Sequence, residues 1–596
     1  MMKNIKKIMA VVMVVGMGRV LFLYTMNPST KIRPKDLYEQ ANDFLYPPMG
    51  KMKDYGKALA IFQKVAAQHD DPLSAAEAKL DLAAMYKDGL GIPQNKDRAR
   101  NYFNEARSAF EQMAANAETN PKAAAFATEM LGDIYYYGNR AETDEGMIYA
   151  YADWVEYDED RARQYYEKAR TLLEQVIEQY DPESVAEANL ELGYMYQFGY
   201  FRDTDYDKAR PYYERVAHNK QLPLKLSIEA YESLALMYRN GQGEEALGQN
   251  IAKAIDYYNR IIALAGQAGK PESAYQAHMA IGDIYAYGIG IDHPDFNKAR
   301  LEYEKIGELP NAQEGLAYLY RHGQGRHFPP DINLAEYCYK NVIANPLASD
   351  ELKKSAKKEL ASIFYSLGYN HYYGEEGVSQ DYVLAREYFN QLLALGEAGD
   401  NEKAVAHNFL GKMSYEGQVG AKNYAEARNH FDQSLAIQDT VHSIRAEAEF
   451  YLGKIYYEGQ AGILAQDYLQ AFGYFTQVIA NQDASGWMKA AAKAYIGRMY
   501  YRGQGVARNY TQAGVFSQNA LGSTDLLMKE RAMAHYTLGM MYYYGQGVHR
   551  DLTFVADYFN LVVQNPGADP AEKVSAQNIL DAIPQANPES VPVHRG

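Results

Sequence analysis

Three stretches decide the fold: LGKIYYEGQAG (452–462), IGRMYYRGQGV (496–506) and LGMMYYYGQGV (538–548). Aligned on the glycine that follows the tyrosines, the phrase recurs at eleven anchors: Gly89, Gly138, Gly199, Gly241, Gly288, Gly323, Gly374, Gly417, Gly459, Gly503 and Gly545. Seven residues upstream stands Leu or Ile in every copy, and six upstream Gly or Ala. Three upstream stands Tyr in nine copies, with His371 and Ser414 the exceptions. A second column follows each anchor. Regular copies carry an Ala ten to thirteen residues later and an aromatic four residues beyond it, such as Phe103, Tyr166, Tyr213, Phe389, Phe431 and Phe475. Spacings of three and four hold such residues on one helical face. The unit is therefore a helix pair. Helix A carries the LGxMY stripe and ends at a glycine in the left-handed conformation, while helix B carries AxxYY. The small residue six before the anchor is expected to let a neighbouring helix backbone approach closely, with the aromatics filling the gaps between helices.

These stretches, each followed by a variant of D/N-Y/L-x-x-A-x-x-Y/F-F, resemble the Sel-one-like repeat (SLR) family, related in architecture to tetratricopeptide arrays. The resemblance runs over about residues 36–583. It implies an all-α, right-handed α-solenoid superhelix of eleven to twelve helix pairs that binds other proteins, often in an envelope or a membrane-associated complex. Cysteine-rich relatives are linked to β-lactam binding through cysteine pairs, and this chain has one cysteine, so that property does not transfer.

Composition fits a folded scaffold. The 596 residues are 47% hydrophobic and 23% charged, which excludes a disordered chain. A net charge of −16 argues against a nucleic-acid partner. The 55 tyrosines fall mostly in repeat columns, where the ring is buried and the hydroxyl finds a partner. Residues 1–30 read as a signal peptide or an N-terminal membrane anchor. Lys3, Lys6 and Lys7 precede the apolar run Ile8–Met17, which resumes after Arg19. The expectation is an exported protein, membrane-anchored or periplasmic, touching the membrane through this segment only.

The rest divides into an N-terminal array over 36–304 that begins with a capping pair, an irregular joint over 305–365, a C-terminal array over 366–583 closed by a capping helix, and a flexible tail over 584–596. The joint rests on spacing: the link from Tyr303 to Leu316 is short and that from Tyr339 to Leu367 long.

No enzyme, cofactor or metal site is expected. Cys338 stands in the column of Tyr102, Tyr165, Tyr212 and Tyr257, which reads as a buried thiol rather than a nucleophile. His322 and His327 share one turn without a ligand spacing, and Gly503-Gln504-Gly505 lacks the Lys-Ser/Thr of a phosphate loop. Asp203, Asp205, Asp207 and Glu214 mimic a calcium loop, but Lys208 holds the place of its glycine, so capping of helix B explains the aspartates better.

One feature escapes the repeat. Between Gly138 and Ala162 lie 24 residues where other copies need 10 to 13. The surplus, 139–160, interleaves eight carboxylates with aromatics, and its candidate partner-binding residues are Tyr149, Tyr151, Trp154, Glu156, Tyr157, Asp158 and Glu159. Three readings stand: contact with a protein partner that offers a basic segment, packing back onto the solenoid, or a cation site. The leading function is a non-enzymatic protein–protein interaction scaffold or adaptor. The alternative is a carbohydrate- or envelope-polymer-binding factor that uses exposed tyrosines. Oligomeric state is not legible.

Overall fold

The structure, a computed structural model, describes residues 34–45, 53–138, 154–201, 203–241, 250–461 and 464–583. Those residues form 25 helices and no strand. The expected segments 1–30 and 584–596 lie outside them. The chain divides into two compact arrays between Leu352 and Lys353. That boundary falls in the first turn of the longest helix, Asp350–Tyr373. In the first array the pair Pro34–Leu45 and Tyr55–Ala66 precedes the first repeat, and helix B of the fifth repeat, Phe296–Glu304, has only nine residues. In the second array, helix Pro570–Ala582 follows the eleventh repeat.

Each repeat is an A helix and a B helix joined by the anchor glycine. Ten of the eleven anchors sit at positive φ, the conformation that ends helix A. Gly138 is the exception. A Cβ there would lie 2.6–2.7 Å from the backbone of Val155–Tyr157, so closeness rather than handedness demands glycine. Helix B then opens on an Asp or Asn whose side chain accepts the N–H three residues on, as at Asn95, Asp158, Asp205, Asn423 and Asp467. The same residue's own N–H donates to the carbonyl three before the anchor: Asn95 to Tyr86 at 2.8 Å, Asp158 to Tyr135 at 3.0 Å, Asp467 to Tyr456 at 2.9 Å. All eleven repeats make this bond. One residue thus starts helix B and staples it to helix A.

The small residue six before the anchor receives a ring, not the neighbouring backbone expected from the sequence. A Cβ on Gly453 would lie 2.7 Å from the Phe475 ring, and Gly411 and Gly368 meet Phe431 and Phe389 in the same way. The ring's other face is covered by the next A helix. Phe475 stacks on Tyr495 (4.7 Å, 9°), Phe431 on Tyr451 (5.3 Å, 6°) and Phe389 on Phe409 (4.9 Å, 6°). After Phe103 of the first repeat, the ring in the first array is tyrosine, and its hydroxyl donates to helix A: Tyr166 to Asp133 (2.7 Å), Tyr213 to Gln197 (2.6 Å) and Tyr303 to Asp283 (2.8 Å). Contacts between consecutive A helices recur through both arrays, whereas B helices meet mainly through the A helices between them, so A lies on the tighter side of each array.

Two outcomes follow. Gly453→Ala drives a methyl into the Phe475 ring and should destabilise the second array by about 1–3 kcal/mol despite a better helix former. Gly473→Ala, where an added Cβ meets nothing within 4 Å, should instead stabilise it by up to about 1 kcal/mol; denaturant melts of both variants decide. Half-buried His407 and His430 bring their Nδ1 atoms to 3.2 Å. Burial pushes His407 down to about 4, helped by His430, and lowers His430 too; burial and Arg531 take His535 to about 4. The unfolded chain binds these protons from pH about 6.5. Their stabilisation is therefore whole above that pH and lost as pH falls towards 4. Melting midpoints should drop over that window, and less so in His407→Gln, His430→Gln, His535→Gln.

Candidate interaction surface

The second repeat departs from its pattern after Gly138 and regains it at Asp158, whose N–H again reaches the Tyr135 carbonyl. Tyr149 and Tyr151 lie outside the described residues. Of the other candidates, Trp154 packs on Phe103 (5.5 Å, 37°), beside the buried Val155. Tyr157 sets an edge against Tyr136 (6.2 Å) and donates its hydroxyl to Glu159 at 2.6 Å. Asp158 caps helix Glu159–Gln179 by accepting the Arg161 N–H at 2.9 Å. Glu159 also pairs with Arg163 at 2.8 Å. Glu156, Asp158, Glu159 and Asp160 are exposed. The described end of the insertion is thus held by its rings and presents its carboxylates.

These residues border a cleft of about 730 Å³ whose far wall is Arg107, Tyr135, Arg161 and Arg163. Arg107 Nη2 donates to the Tyr135 hydroxyl at 2.8 Å, and the Arg161 guanidinium lies 4.2 Å from the ring centroid. Tyr135 stacks on Tyr165 at 5.7 Å and 3°. Burial raises the Tyr135 phenol against the pull of both arginines. The cleft offers charge-assisted hydrogen bonds of both signs. The sequence reading missed the cationic wall, although its signal was present: the residue before the helix B alanine is a cation in the first five repeats. Arg98, Arg161, Lys208, Lys253 and Lys298 each lie within 6 Å of the centroid of the tyrosine three before their own anchor. From the sixth repeat on the position holds Leu334, Leu384, Glu426, Gln470, Gln512 and Phe554.

The A-helix side is tied by ion pairs. Glu187 takes Lys35 and Lys122, each at 2.6 Å, and Lys270 meets Glu229 at 3.0 Å. In the second array Lys529 pairs with Glu458 at 2.9 Å, while Arg498 and Arg502 pair with Glu572 of the last helix. Glu458 also accepts the hydroxyls of Tyr415 (2.7 Å) and Tyr424 (2.8 Å). Cys338 is buried, and burial pushes its thiol up to about 11, far from a nucleophile's range. His322 holds the Tyr318 carbonyl of its own helix, and Asp205 caps its helix through the Lys208 N–H at 2.9 Å. Among the described residues no three His, Cys, Asp or Glu side chains gather as a metal site, and no helix is long and apolar enough to cross a membrane.

Comparisons with known proteins bear on the repeat. The Sel1 repeat matches in eleven places: residues 76–109, 146–172, 186–219, 228–265, 276–301, 310–341, 365–397, 404–436, 446–481, 490–514 and 532–553. Together these cover more than half of the chain. No curated protein matches. Among solved structures, the chain is similar to a protective antigen of uropathogenic Escherichia coli strains that displays an SLR fold. Identity there is 22%, over 79% of this chain and 90% of that one, with a TM-score of 0.31. A Sel1 repeat protein from Oxalobacter formigenes is 19% identical over 59% of this chain and 88% of that one, with a TM-score of 0.29. With eleven repeats matched and every anchor glycine joining a helix pair, the chain belongs to the Sel1 repeat family.

Proposed function

We propose that the chain is a non-enzymatic scaffold that holds one or more partner proteins, and that the acidic shelf ending the insertion receives a basic segment of one of them. Members of the family are in general protein–protein interaction scaffolds. The observation that supports the finer reading is the division of roles along the shelf. Trp154, Val155 and Tyr157 pack inward and hold the backbone, while Glu156, Asp158, Glu159 and Asp160 remain exposed beside an open cleft. Carboxylates on a held backbone meet a cation without the ordering cost of a free loop. The basic and apolar pattern of residues 3–26 supports export or anchoring by that segment. The carbohydrate alternative has weaker support, because the exposed tyrosines among the described residues, Tyr180, Tyr287, Tyr337, Tyr373 and Tyr544, are spread over five separate repeats rather than gathered on one platform.

The test is charge reversal at Glu156, Glu159 and Asp160, each to Lys, followed by crosslinked recovery of partners from membrane and soluble fractions. Partners bound by the wild type should be lost with the helical circular dichroism retained, at a stability cost of about 1–2 kcal/mol, because Glu159 and Asp160 occupy a helix N-terminus and pair with Arg163. Retention of the same partners would move recognition elsewhere on the solenoid. Deleting 139–160 is a poorer test, since it removes the Asp158 cap, about 1 kcal/mol by itself, together with Val155.

A further inference from the structure

The B helices change character along the chain. Those of the first three repeats, Lys96–Ala115, Glu159–Gln179 and Tyr206–Ala217, carry five to nine charged side chains each. Those of the last three, Tyr468–Ala480, Tyr510–Leu521 and Leu552–Gln564, carry one between them, Asp557. In place of charge they expose Leu469 (70%), Val515 (45%), Phe554 (45%) and Leu561 (46%). Charged helices bound the region on both sides: Tyr424–Ala436 with Glu426, Arg428 and Asp432, and Pro570–Ala582 with Lys573 and Asp581. An uncharged centre inside a charged rim is the anatomy of a protein interface.

Gly473 adds an independent sign. It sits in the middle of an exposed helix, where glycine costs about 1 kcal/mol relative to alanine. Nothing in the chain requires it, since an added Cβ would meet no atom within 4 Å. Space is being kept on the outward side, where another backbone can come close.

We propose that this face is where two copies of the chain meet, B-helix layer against B-helix layer about a two-fold axis. Area, charge and symmetry favour a second copy over other occupants. Three successive B helices of 12 or 13 residues, each roughly 20 Å long and set at least about 10 Å apart with A helices between them, present about 600 Å² or more, approaching the ~800 Å² per partner of a standard interface. A membrane-surface helix carries Lys or Arg on its own polar face, and these three helices have none. A strongly charged partner would find a single carboxylate to pair with. Two chains of net charge −16 repel each other over most of their surface. The uncharged patch is where they can touch with least repulsion, and a two-fold pairs the patch with itself. The inference stands apart from the acidic shelf, which lies in the other array.

Sedimentation velocity and light scattering on the full chain through the micromolar range test it. The wild type should be a dimer. Leu469→Glu with Val515→Glu, and separately Phe554→Glu with Leu561→Glu, should each raise the dimer dissociation constant by about tenfold or more with the circular dichroism retained; the melt should hold in the first pair and fall modestly in the second, where Phe554 also packs on Tyr542 and Tyr558. Gln164→Glu, at the register of Gly473 on the second repeat's B helix, should remain a dimer. A wild type that is monomeric throughout overturns the proposal, as does a dimer that survives in a folded variant of either pair.

Discussion

Everything in this solenoid depends on a ring pressed into a notch. A small residue in the middle of helix A, glycine in eight repeats and Ala83, Ala235 and Ala317 in the others, leaves the backbone nearly bare, the aromatic of helix B lies against it, and the next A helix covers the ring's other face. Phe475 is held this way between Gly453 and Tyr495. Because each ring touches two A helices, one contact sets both the geometry within a repeat and the step to the next. Stability then accumulates as nearest-neighbour terms rather than through a single central core. The tenth repeat shows the constraint by its exception. Ser517 replaces the ring beside Gly497, and Thr537 stands where the three preceding A helices carry Phe409, Tyr451 and Tyr495, so both partners shrink together.

The two arrays meet the constraint with different chemistry. Tyrosine in the second to sixth repeats brings a hydroxyl into the notch and must satisfy it, which is why Asp133, Gln197 and Asp283 lie within hydrogen-bond reach. Phenylalanine in the second array carries no such requirement. Its polar order sits on the A-helix side, a feature the first array shares through Glu187 and Lys270; here Glu458 gathers Lys529, Tyr415 and Tyr424, and Glu572 of the last helix meets Arg498 and Arg502. Both Arg498 and Glu572 are buried. An ion pair so placed contributes less to net stability than to register, because either charge left alone would be costly. It fixes the final helix in one position.

The architecture was legible because a repeat writes its interior in columns. The helix pairs, the closing glycines and the buried Cys338 all follow from positions recurring at fixed distance from an anchor. Gly138 was misread for the same reason: its column predicts a left-handed glycine, yet the insertion returns over it and makes closeness the requirement. The end of the insertion was legible and overlooked. An Asp or Asn stands four before the helix B alanine in the ten repeats that keep it, Asp158 among them, and Asp551 stands four before Val555 in the eleventh, so 158 onward belongs to the repeat. The cations over the tyrosines formed a second unread column. Trp154 could not be placed from sequence, because Phe103 belongs to the previous repeat's B helix and no spacing links the two.

What repetition makes legible inside, it hides outside. Interior columns answer to neighbours that recur and are therefore predictable from one another. Surface positions answer to whatever meets them, once each, and leave no periodic trace. Function in such a chain must be sought where a column changes or an extra segment breaks it. The residue before the helix B alanine changes from cation to neutral or apolar after the fifth repeat, with Glu426 the one acid. Charge then disappears from the last three B helices, and the second repeat alone carries an acidic shelf. The interior columns run through all of these changes nearly intact. The loss of the cation follows packing in part, since His371 and Ser414 replace the tyrosine beneath it in the seventh and eighth repeats and Phe554 lies against Tyr542 in the eleventh, whereas no interior column sets the acidic shelf or the loss of charge from the last B helices.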